Sequence, residues 1–305
     1  MPASPIRDRV TLKPRLDELY ESFNVPDSAE DPVRFARRYA DVRDREVAGF
    51  IAAGLAFGRV ASVMASVEAV LGRLGPHPAA FVCDFDLRRD GALFKDFVHR
   101  WTRGADINAL LLTLRHMLRE HGSLERFFLE DLRPDDTDVE RALESFSTRA
   151  CAVDVRPAYG GRRPPERAGV GYFFPRPSKG SGCKRLNLYL RWMVRQDQID
   201  PGGWTGVKRS QLIVPLDTHI IRIGRCLRLT RHTSPGWKMA SEITATLRAL
   251  DPEDPIRYDF SICHLGMINA CGFTTPRRDR ECPLRGLCRP GGRTRAASLR
   301  PSARP

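Results

Sequence analysis

Two residues, each predicted to begin a helix, carry side chains that could do chemistry. Lys184 ends the segment Gly180-Ser-Gly-Cys-Lys184, and Asp217 follows it by 33 residues, between an apolar approach and an apolar helix. The positive end of a helix dipole disfavours a second positive charge, so it favours the free amine that a lysine nucleophile needs. A carboxylate in apolar surroundings must be solvated, used as a cap or used in chemistry. Lys184 and Asp217 are therefore candidates for a catalytic pair.

The glycine-rich turn before Lys184 is typical of a backbone that binds phosphate. Gly180 and Gly182, with Ser181 between them, allow a tight turn, and the helix behind them presents free N–H groups. Together with Arg185, this turn would bind the DNA backbone without reading its sequence. Each motif also has a simpler interpretation when taken alone: a flexible loop for the turn, a solvated side chain for the lysine and an N-cap for the aspartate.

The composition favours a polyanionic partner. The 305-residue chain has a formal net charge of +13, a pI near 9.8 and 42% hydrophobic residues. Such a balance predicts a globular protein that associates with nucleic acid. There is no apolar run near the ~20 residues that a bilayer span needs, and Arg7, Asp8 and Arg9 interrupt any signal peptide. We expect a cytoplasmic, nucleoid-associated monomer without a membrane partner.

Apolar residues recur at helical spacing along most of the chain, which predicts an all-α protein. The segment 46–57 is almost wholly apolar and small, so we expect a fully buried helix there. A capping box at Thr137–Glu140 predicts another helix start. The best strand candidate, 212–214, is too short to build a sheet. Further helices are predicted over 60–74, 106–119, 184–195, 217–229, 237–250 and 255–267.

Two motifs resemble those of a known superfamily. The segment Gly180-Ser-Gly-Cys-Lys184 resembles the Gly-x-Gly-x-Lys hairpin of helix–hairpin–helix DNA glycosylases. The segment Val214-Pro-Leu-Asp-Thr-His219 resembles the Val-Pro-x-Asp-x-His segment that carries their catalytic aspartate. The runs 183–195 and 215–219 also resemble a little-characterised bacterial family, a domain of unknown function related to that superfamily. The separation between lysine and aspartate is closer to that of archaeal 8-oxoguanine DNA glycosylase/lyases than to that of endonuclease III.

The resemblance implies base-excision repair of double-stranded DNA that contains a damaged base. Lys184 would form a Schiff base with the sugar, and Asp217 would deprotonate the amine or stabilise the sugar cation. The hairpin and His219 would contact DNA. An oxidised purine such as 8-oxoguanine is the expected substrate, with β-elimination after base release and no cofactor required for the chemistry. The alternatives are a non-enzymatic nucleic-acid-binding protein on the same fold and a metal-containing regulatory protein.

The resemblance also implies a two-lobed helical bundle of the helix–hairpin–helix glycosylase type, with the cleft between the lobes. We expect residues 1–45 and 210–288 to form a terminal lobe. Residues 46–209 would form a central lobe that contains the hairpin and a Pro/Gly-rich connection at 151–183, and 289–305 would be a disordered basic tail.

Some differences from the superfamily leave base specificity open. The residues Ser178-Lys179 stand where Leu-Pro usually precedes the hairpin, and Ala56-Phe-Gly-Arg59 stands in place of a Ser-Ala-Gln segment. Trp204 and Phe173-Phe174 are candidates to stack on an extruded base, although packing in the core is equally compatible. A basic rim around the site is predicted from Arg185, Arg191, Arg195, Arg222 and Arg225.

The C-terminal cysteines are a candidate metal site. Cys282 and Cys288 have the five-residue gap that closes the iron–sulfur loop of endonuclease III, and Cys271 lies upstream. The expected place of the fourth ligand holds Asp279, whereas a tetra-cysteine cluster needs four thiolates. Three interpretations stay open: an iron–sulfur cluster that uses Cys263, a zinc site with a non-cysteine ligand, or a loop with no metal or an easily lost one, which we favour.

Overall fold

The computed structural model describes residues 7–26, 30–166, 169–267 and 282–287. Within these ranges the chain forms thirteen α-helices, which confirms the all-α prediction. The α-helices are α1 (Arg7–Phe23), α2 (Val33–Arg37), α3 (Val42–Leu55), α4 (Val60–Leu74), α5 (Pro78–Asp84), α6 (Leu87–Asp90), α7 (Gly104–His121), α8 (Leu124–Leu129), α9 (Glu140–Ala152), α10 (Lys184–Val194), α11 (Thr218–Cys226), α12 (Trp237–Arg248) and α13 (Asp259–Met267).

Short 3₁₀ helices and one small hairpin join these helices. The two strands, β1 (Val98–His99) and β2 (Thr102–Arg103), pair antiparallel, with Val98 opposite Arg103. The 3₁₀ helices cover Gly91–Phe94, Arg156–Tyr159, Val170–Phe173, Pro177–Lys179 and Arg209–Gln211. Three of them lie in the Pro/Gly-rich connection, so this segment is locally folded rather than extended.

Helix α3 is the central helix, as its apolar sequence predicts. Asp41 caps it by accepting hydrogen bonds from the backbone N–H groups of Arg43 and Asp44. Its small side chains let α2 and α10 approach closely: a Cβ placed at Gly49 would lie 3.5 Å from both Ala36 and Tyr189. Because every residue from Glu46 to Leu55 is buried, the prediction of a fully buried helix is confirmed over that range.

Other local predictions have mixed outcomes. Helix α4 has the expected bounds, and α7 ends at Gly122, which takes the left-handed conformation (φ 81°) that favours glycine. The prediction of a capping box at Thr137–Glu140 is wrong, because α9 begins after Val139 and the side chain of that residue makes no capping hydrogen bond. The segment 212–214, the best strand candidate, does not form a strand. The backbone N–H of Val214 donates to the hydroxyl of Thr244, at 3.0 Å, instead of to a neighbouring strand.

The two ends of the described chain meet in the fold. Helix α1 packs against α13, and α13 packs against α11. Among the described residues, buried apolar side chains form a continuous cluster that extends from Leu12 to Leu284. The division into two lobes stays a prediction, and the tail 289–305 lies outside the described residues. None of the helices in the described ranges has both the length and the apolar character that crossing a membrane requires.

A buried ion-pair network joins α10 to the segments that follow it. Arg191 donates from Nε to Asp200 (3.1 Å) and from one terminal nitrogen to Asp259 (2.5 Å). Arg195 donates from Nε to both carboxylate oxygens of Asp254 at 3.0 Å and also bonds Asp200. All five side chains are buried. The prediction that Arg191 and Arg195 belong to a basic rim is therefore wrong: both cations neutralise buried carboxylates, which is how buried charges are usually accommodated.

Replacing Arg195 with methionine should destabilise the fold strongly. The change leaves Asp254 buried without its cation and removes one of the two cations of Asp200, and breaking a buried pair in this way costs about 3–5 kcal/mol. Urea unfolding measures the loss. As a control, Arg38→Met removes the exposed pair with Glu68 and should cost less than about 1 kcal/mol. Equal losses in the two variants would contradict a structural role for the buried network.

Candidate active site

Lys184 is the first residue of α10, and its side chain turns toward the end of α3. Its Nζ donates to the backbone carbonyl of Ala56 at 3.2 Å. This carbonyl lies just past the C-terminus of α3, where a helix dipole attracts a cation. The carbonyl of Ala56 therefore orients the Lys184 side chain toward the end of α3.

The neighbouring thiol does not compete with Lys184 as a nucleophile. Cys183 is buried, and burial raises the pKa of its thiol to about 12. A thiol with that pKa holds its proton at neutral pH, and the thiolate is the reactive form. Burial therefore argues against the Cys183 thiol as a nucleophile, and the sequence motif alone makes Lys184 the candidate.

The glycine turn has the tight geometry that its sequence predicts. Gly180 takes φ 76° and Cys183 takes φ 46°, both in the left-handed region, and the hydroxyl of Ser181 accepts a hydrogen bond from the N–H of Cys183 at 3.1 Å. The turn lies against the loop at 235–236: a Cβ at Gly236 would lie 2.7 Å from the carbonyl oxygen of Gly180. Ser181 and Gly182 line a cleft of about 450 Å³ together with Lys184.

Asp217 has the capping role that its sequence position predicts. One carboxylate oxygen accepts a hydrogen bond from the N–H of Ile220 at 2.7 Å, at the start of α11. The other oxygen accepts a hydrogen bond from the thiol of Cys263, at 2.8 Å. Burial raises the pKa of Cys263 well above 9, and the charge of Asp217 adds to this rise, so the thiol keeps the proton that it donates.

Lys184 and Asp217 line the same cleft, although they are far apart in the sequence. The cleft has a volume of about 490 Å³ and lies between the starts of α10 and α11, with α13 on one side. A cavity of this size is typical of a small-molecule site. Its lining residues also include Asp31, Asp259 and His264.

The lining of this cleft is rich in acidic groups. Burial raises the pKa of Asp259 to about 7, and the negative charge of Asp217 adds to the rise, while Arg191 opposes it. Burial also lowers the pKa of His264, whose Nδ1 lies 2.8 Å from the carbonyl of Phe260 and whose Nε2 lies 3.9 Å from Asp31. The carboxylates of Asp31 and Asp217 favour a positive charge inside the cleft, whereas Arg191 neutralises that of Asp259.

Arg185 and His219 are predicted to contact DNA, but the surroundings of both side chains differ from those of an exposed DNA-binding surface. Arg185 is buried, and its guanidinium donates to the carbonyls of Gly54 and Tyr172 and lies 3.5 Å from the centre of the Tyr172 ring. It therefore supports the cleft wall rather than forming a basic rim. His219 lines the cleft and lies against α13, where a Cβ at Gly266 would be 2.5 Å from its Nδ1. This nitrogen is buried and has no hydrogen-bond partner in the part of the chain that the structure describes.

The metal prediction falls largely outside the described residues, because Cys271 and Cys288 lie there. Cys282 is buried in the core beside Leu284. Cys263 donates a hydrogen bond to Asp217 in the cleft, and its place as a fourth ligand stays a prediction. The described residues contain no group of three or more histidines, cysteines or carboxylates that could hold a metal ion.

Of the two alternatives for Trp204, Phe173 and Phe174, the structure favours packing in the core, because all three are buried there.

The motifs did not indicate that α13 contributes to the cleft. Asp259 and Cys263 are four residues apart, a spacing that places both on one face of a helix, and this spacing was the available signal.

Removing the Cys263 thiol should destabilise the structure through Asp217. Cys263→Ala deletes the donor to a charged acceptor, so we expect a loss of about 1–3 kcal/mol in the free energy of unfolding. Cys263→Ser keeps an O–H donor at the same place and should retain most of that stability. Urea unfolding of both variants measures the difference. If both lose the same amount, the contribution of Cys263 is packing and not the hydrogen bond.

Comparison with known proteins identifies the family but no characterised relative. No curated protein and no solved structure matches the chain. A family model described as a protein of unknown function (DUF2400) matches residues 31–268, a range that includes the glycine turn, the cleft and both candidate catalytic residues. The chain therefore belongs to the DUF2400 family.

Proposed function

We propose that this protein is a DNA base-excision enzyme that cleaves an N-glycosidic bond, with Lys184 as its nucleophile. One observation carries the proposal. Lys184 and Asp217 begin two different helices and line one cleft, and a glycine turn suited to bind phosphate directly precedes Lys184. The motifs resemble those of the helix–hairpin–helix glycosylases, and the helical fold is compatible with that superfamily.

In the proposed mechanism, the Lys184 ammonium leaves the Ala56 carbonyl and gives a proton to Asp217. The free amine attacks C1′ of the sugar, and the glycosidic C–N bond breaks with its electron pair leaving on the base, which takes up the proton that Asp217 accepted. The attached nitrogen then gives a proton to the ring oxygen O4′, and opening of the ring leaves a protonated imine between Lys184 and C1′. Loss of a C2′ proton then expels the 3′ phosphate by β-elimination, and water hydrolyses the imine and releases Lys184.

The acidic lining of the cleft supports this chemistry. Positive charge develops on the sugar as the glycosidic bond breaks, and fixed negative groups stabilise such charge best where water is excluded. If Asp217 stabilises the sugar cation instead of accepting the amine proton, it would supply a negative charge in the cleft together with Asp31. The overall charge of +13 would attract the DNA backbone to the surface around the cleft.

The proposed substrate is an oxidised purine in double-stranded DNA, such as 8-oxoguanine, by analogy with the archaeal glycosylase/lyases alone. We propose that the enzyme acts as a monomer near the nucleoid and needs no cofactor for the chemistry. A non-enzymatic nucleic-acid-binding protein on the same fold is the competing possibility, and covalent trapping separates the two.

Lys184→Ala should abolish covalent trapping. Borohydride reduces an imine to a stable amine, so the wild-type protein should crosslink to a duplex that contains the damaged base or an abasic site. Lys179→Ala is the matched control, because Lys179 is exposed in the same turn and should leave trapping intact. A crosslink of equal yield in Lys184→Ala would place the nucleophile elsewhere. No crosslink in any protein across a panel of damaged duplexes would favour the non-enzymatic alternative.

Asp217→Asn should separate catalysis from capping. Asparagine caps helices about as well as aspartate, so the change in the cap itself should cost less than about 1 kcal/mol. The thiol of Cys263 also loses its charged acceptor, so the total loss should stay within the about 1–3 kcal/mol expected of Cys263→Ala. Single-turnover base release should nevertheless fall by about 10²-fold or more, the usual contribution of a general base. Asp41→Asn, at the cap of α3, is the control and should retain the wild-type rate. A normal rate in Asp217→Asn would reduce Asp217 to its structural role.

A further inference from the structure

The small hairpin β1–β2 carries an exposed aromatic residue beside the cleft. The two strands leave Arg100 and Trp101 at the turn, and Arg100 takes φ 53°, a conformation that is uncommon for a residue other than glycine. Trp101 has 39% of its surface exposed. The other three tryptophans, Trp192, Trp204 and Trp237, are buried. Large apolar side chains are usually buried, and strained backbone is most common at functional sites. An exposed tryptophan at a strained turn therefore indicates a binding role.

A buried histidine anchors the hairpin. His99 has one ring nitrogen 2.8 Å from the hydroxyl of Ser66 and the other 3.0 Å from the carbonyl of Phe57. Its ring also packs edge-on against the Phe57 ring, with centroids 4.6 Å apart. Because His99 is buried and bonded on both sides, the turn is held in a fixed position next to Phe57.

Trp101 extends an aromatic surface that begins inside the cleft. Its ring stacks nearly parallel on Phe57, with centroids 4.9 Å apart and an interplanar angle of 16°. The ring of Tyr172 meets it edge-on at 5.0 Å. Phe57 lines both clefts that contain Lys184, and it directly follows Ala56, whose carbonyl holds the Lys184 amine. The aromatic surface formed by Phe57, Trp101 and Tyr172 is therefore continuous with the wall around Lys184.

The surroundings of this aromatic surface are positively charged. The guanidinium of Arg100 lies 5.5 Å from the centre of the Trp101 ring, and its side chain runs over Gly58. Arg59 and Arg103 are also exposed on the adjoining segments. An exposed aromatic ring among arginines is the combination that binds single-stranded nucleic acid, in which bases stack and phosphates pair with cations. An apolar protein partner would not need these cations.

We propose that Trp101 stacks on an unpaired nucleobase of the DNA strand that enters the Lys184 cleft. The proposal rests on the proposed function for the identity of the strand, and it adds a binding residue that the chemistry does not use. Stacking would hold the strand locally open beside the cleft, which lowers the cost of moving the target nucleotide out of the duplex. The ligand class is an unstacked base, without preference for its sequence.

Tryptophan fluorescence tests this proposal directly. Trp101 is the exposed one of the four tryptophans, so a short single-stranded oligonucleotide should quench the emission of the wild-type protein, and Trp101→Phe should lose that quenching. Anisotropy with a labelled oligonucleotide should show that Trp101→Ala weakens binding about 10-fold, the scale of one base–aromatic contact. Trp101→Phe retains a ring and should bind with intermediate affinity. Val25→Ala, which shortens another exposed apolar side chain, is the control and should bind normally.

The outcomes distinguish this proposal from the proposed function. Wild-type affinity in folded Trp101→Ala, together with successful trapping on Lys184, would overturn the stacking role and leave the enzyme assignment in place. Quenching at Trp101 with no trapping by any duplex would support the stacking surface and remove the enzyme assignment. Equal binding of fully paired duplex and single strand, with no effect of Trp101→Ala on either, would also overturn the stacking role.

Discussion

The ion pair between Arg191 and Asp259 is the interaction on which the geometry of the cleft depends. Arg191 lies on α10, two turns after Lys184, and Asp259 is the first residue of α13. One turn further along α13, Cys263 donates its thiol proton to Asp217. The pair therefore connects the helix that begins with the candidate nucleophile to the helix that supports the candidate carboxylate. Both charges are buried, and Arg191 is the cation that pairs with Asp259, so moving Arg191 away would leave a buried carboxylate unpaired.

This arrangement separates the two kinds of charge in the protein. The excess of basic residues gives the chain its net charge of +13, whereas the cleft is lined by Asp31, Asp217 and Asp259. A basic exterior attracts polyanions in general, and carboxylates inside a cleft favour a positive charge there. Of the arginines expected around the cleft, three neutralise or support buried groups instead. The exposed arginines of the β1–β2 hairpin and the adjoining loop give the entrance its positive charge.

The sequence by itself determined the local features that depend on neighbouring residues. The small apolar residues of 46–55 predict a helix that other helices surround, because no face of it is polar. Gly122 marks the end of α7, and Asp217 caps α11, because both depend on backbone geometry within one turn. For the same reason, the sequence alone indicates the glycine turn before Lys184. It also indicates that a lysine and an aspartate lie at two helix starts.

Only the tertiary structure decided which of these features meet. The shared cleft depends on how α10, α11 and α13 pack, and this packing brings Cys263 to Asp217 across 46 residues. The burial of Arg191 and Arg195 could not be predicted from their charge, because the carboxylates that neutralise them come from later segments. Long-range packing also explains why Trp101 is exposed and Trp204 is buried. Both residues have a ring that could stack on a base, but the sequence does not show which ring faces solvent.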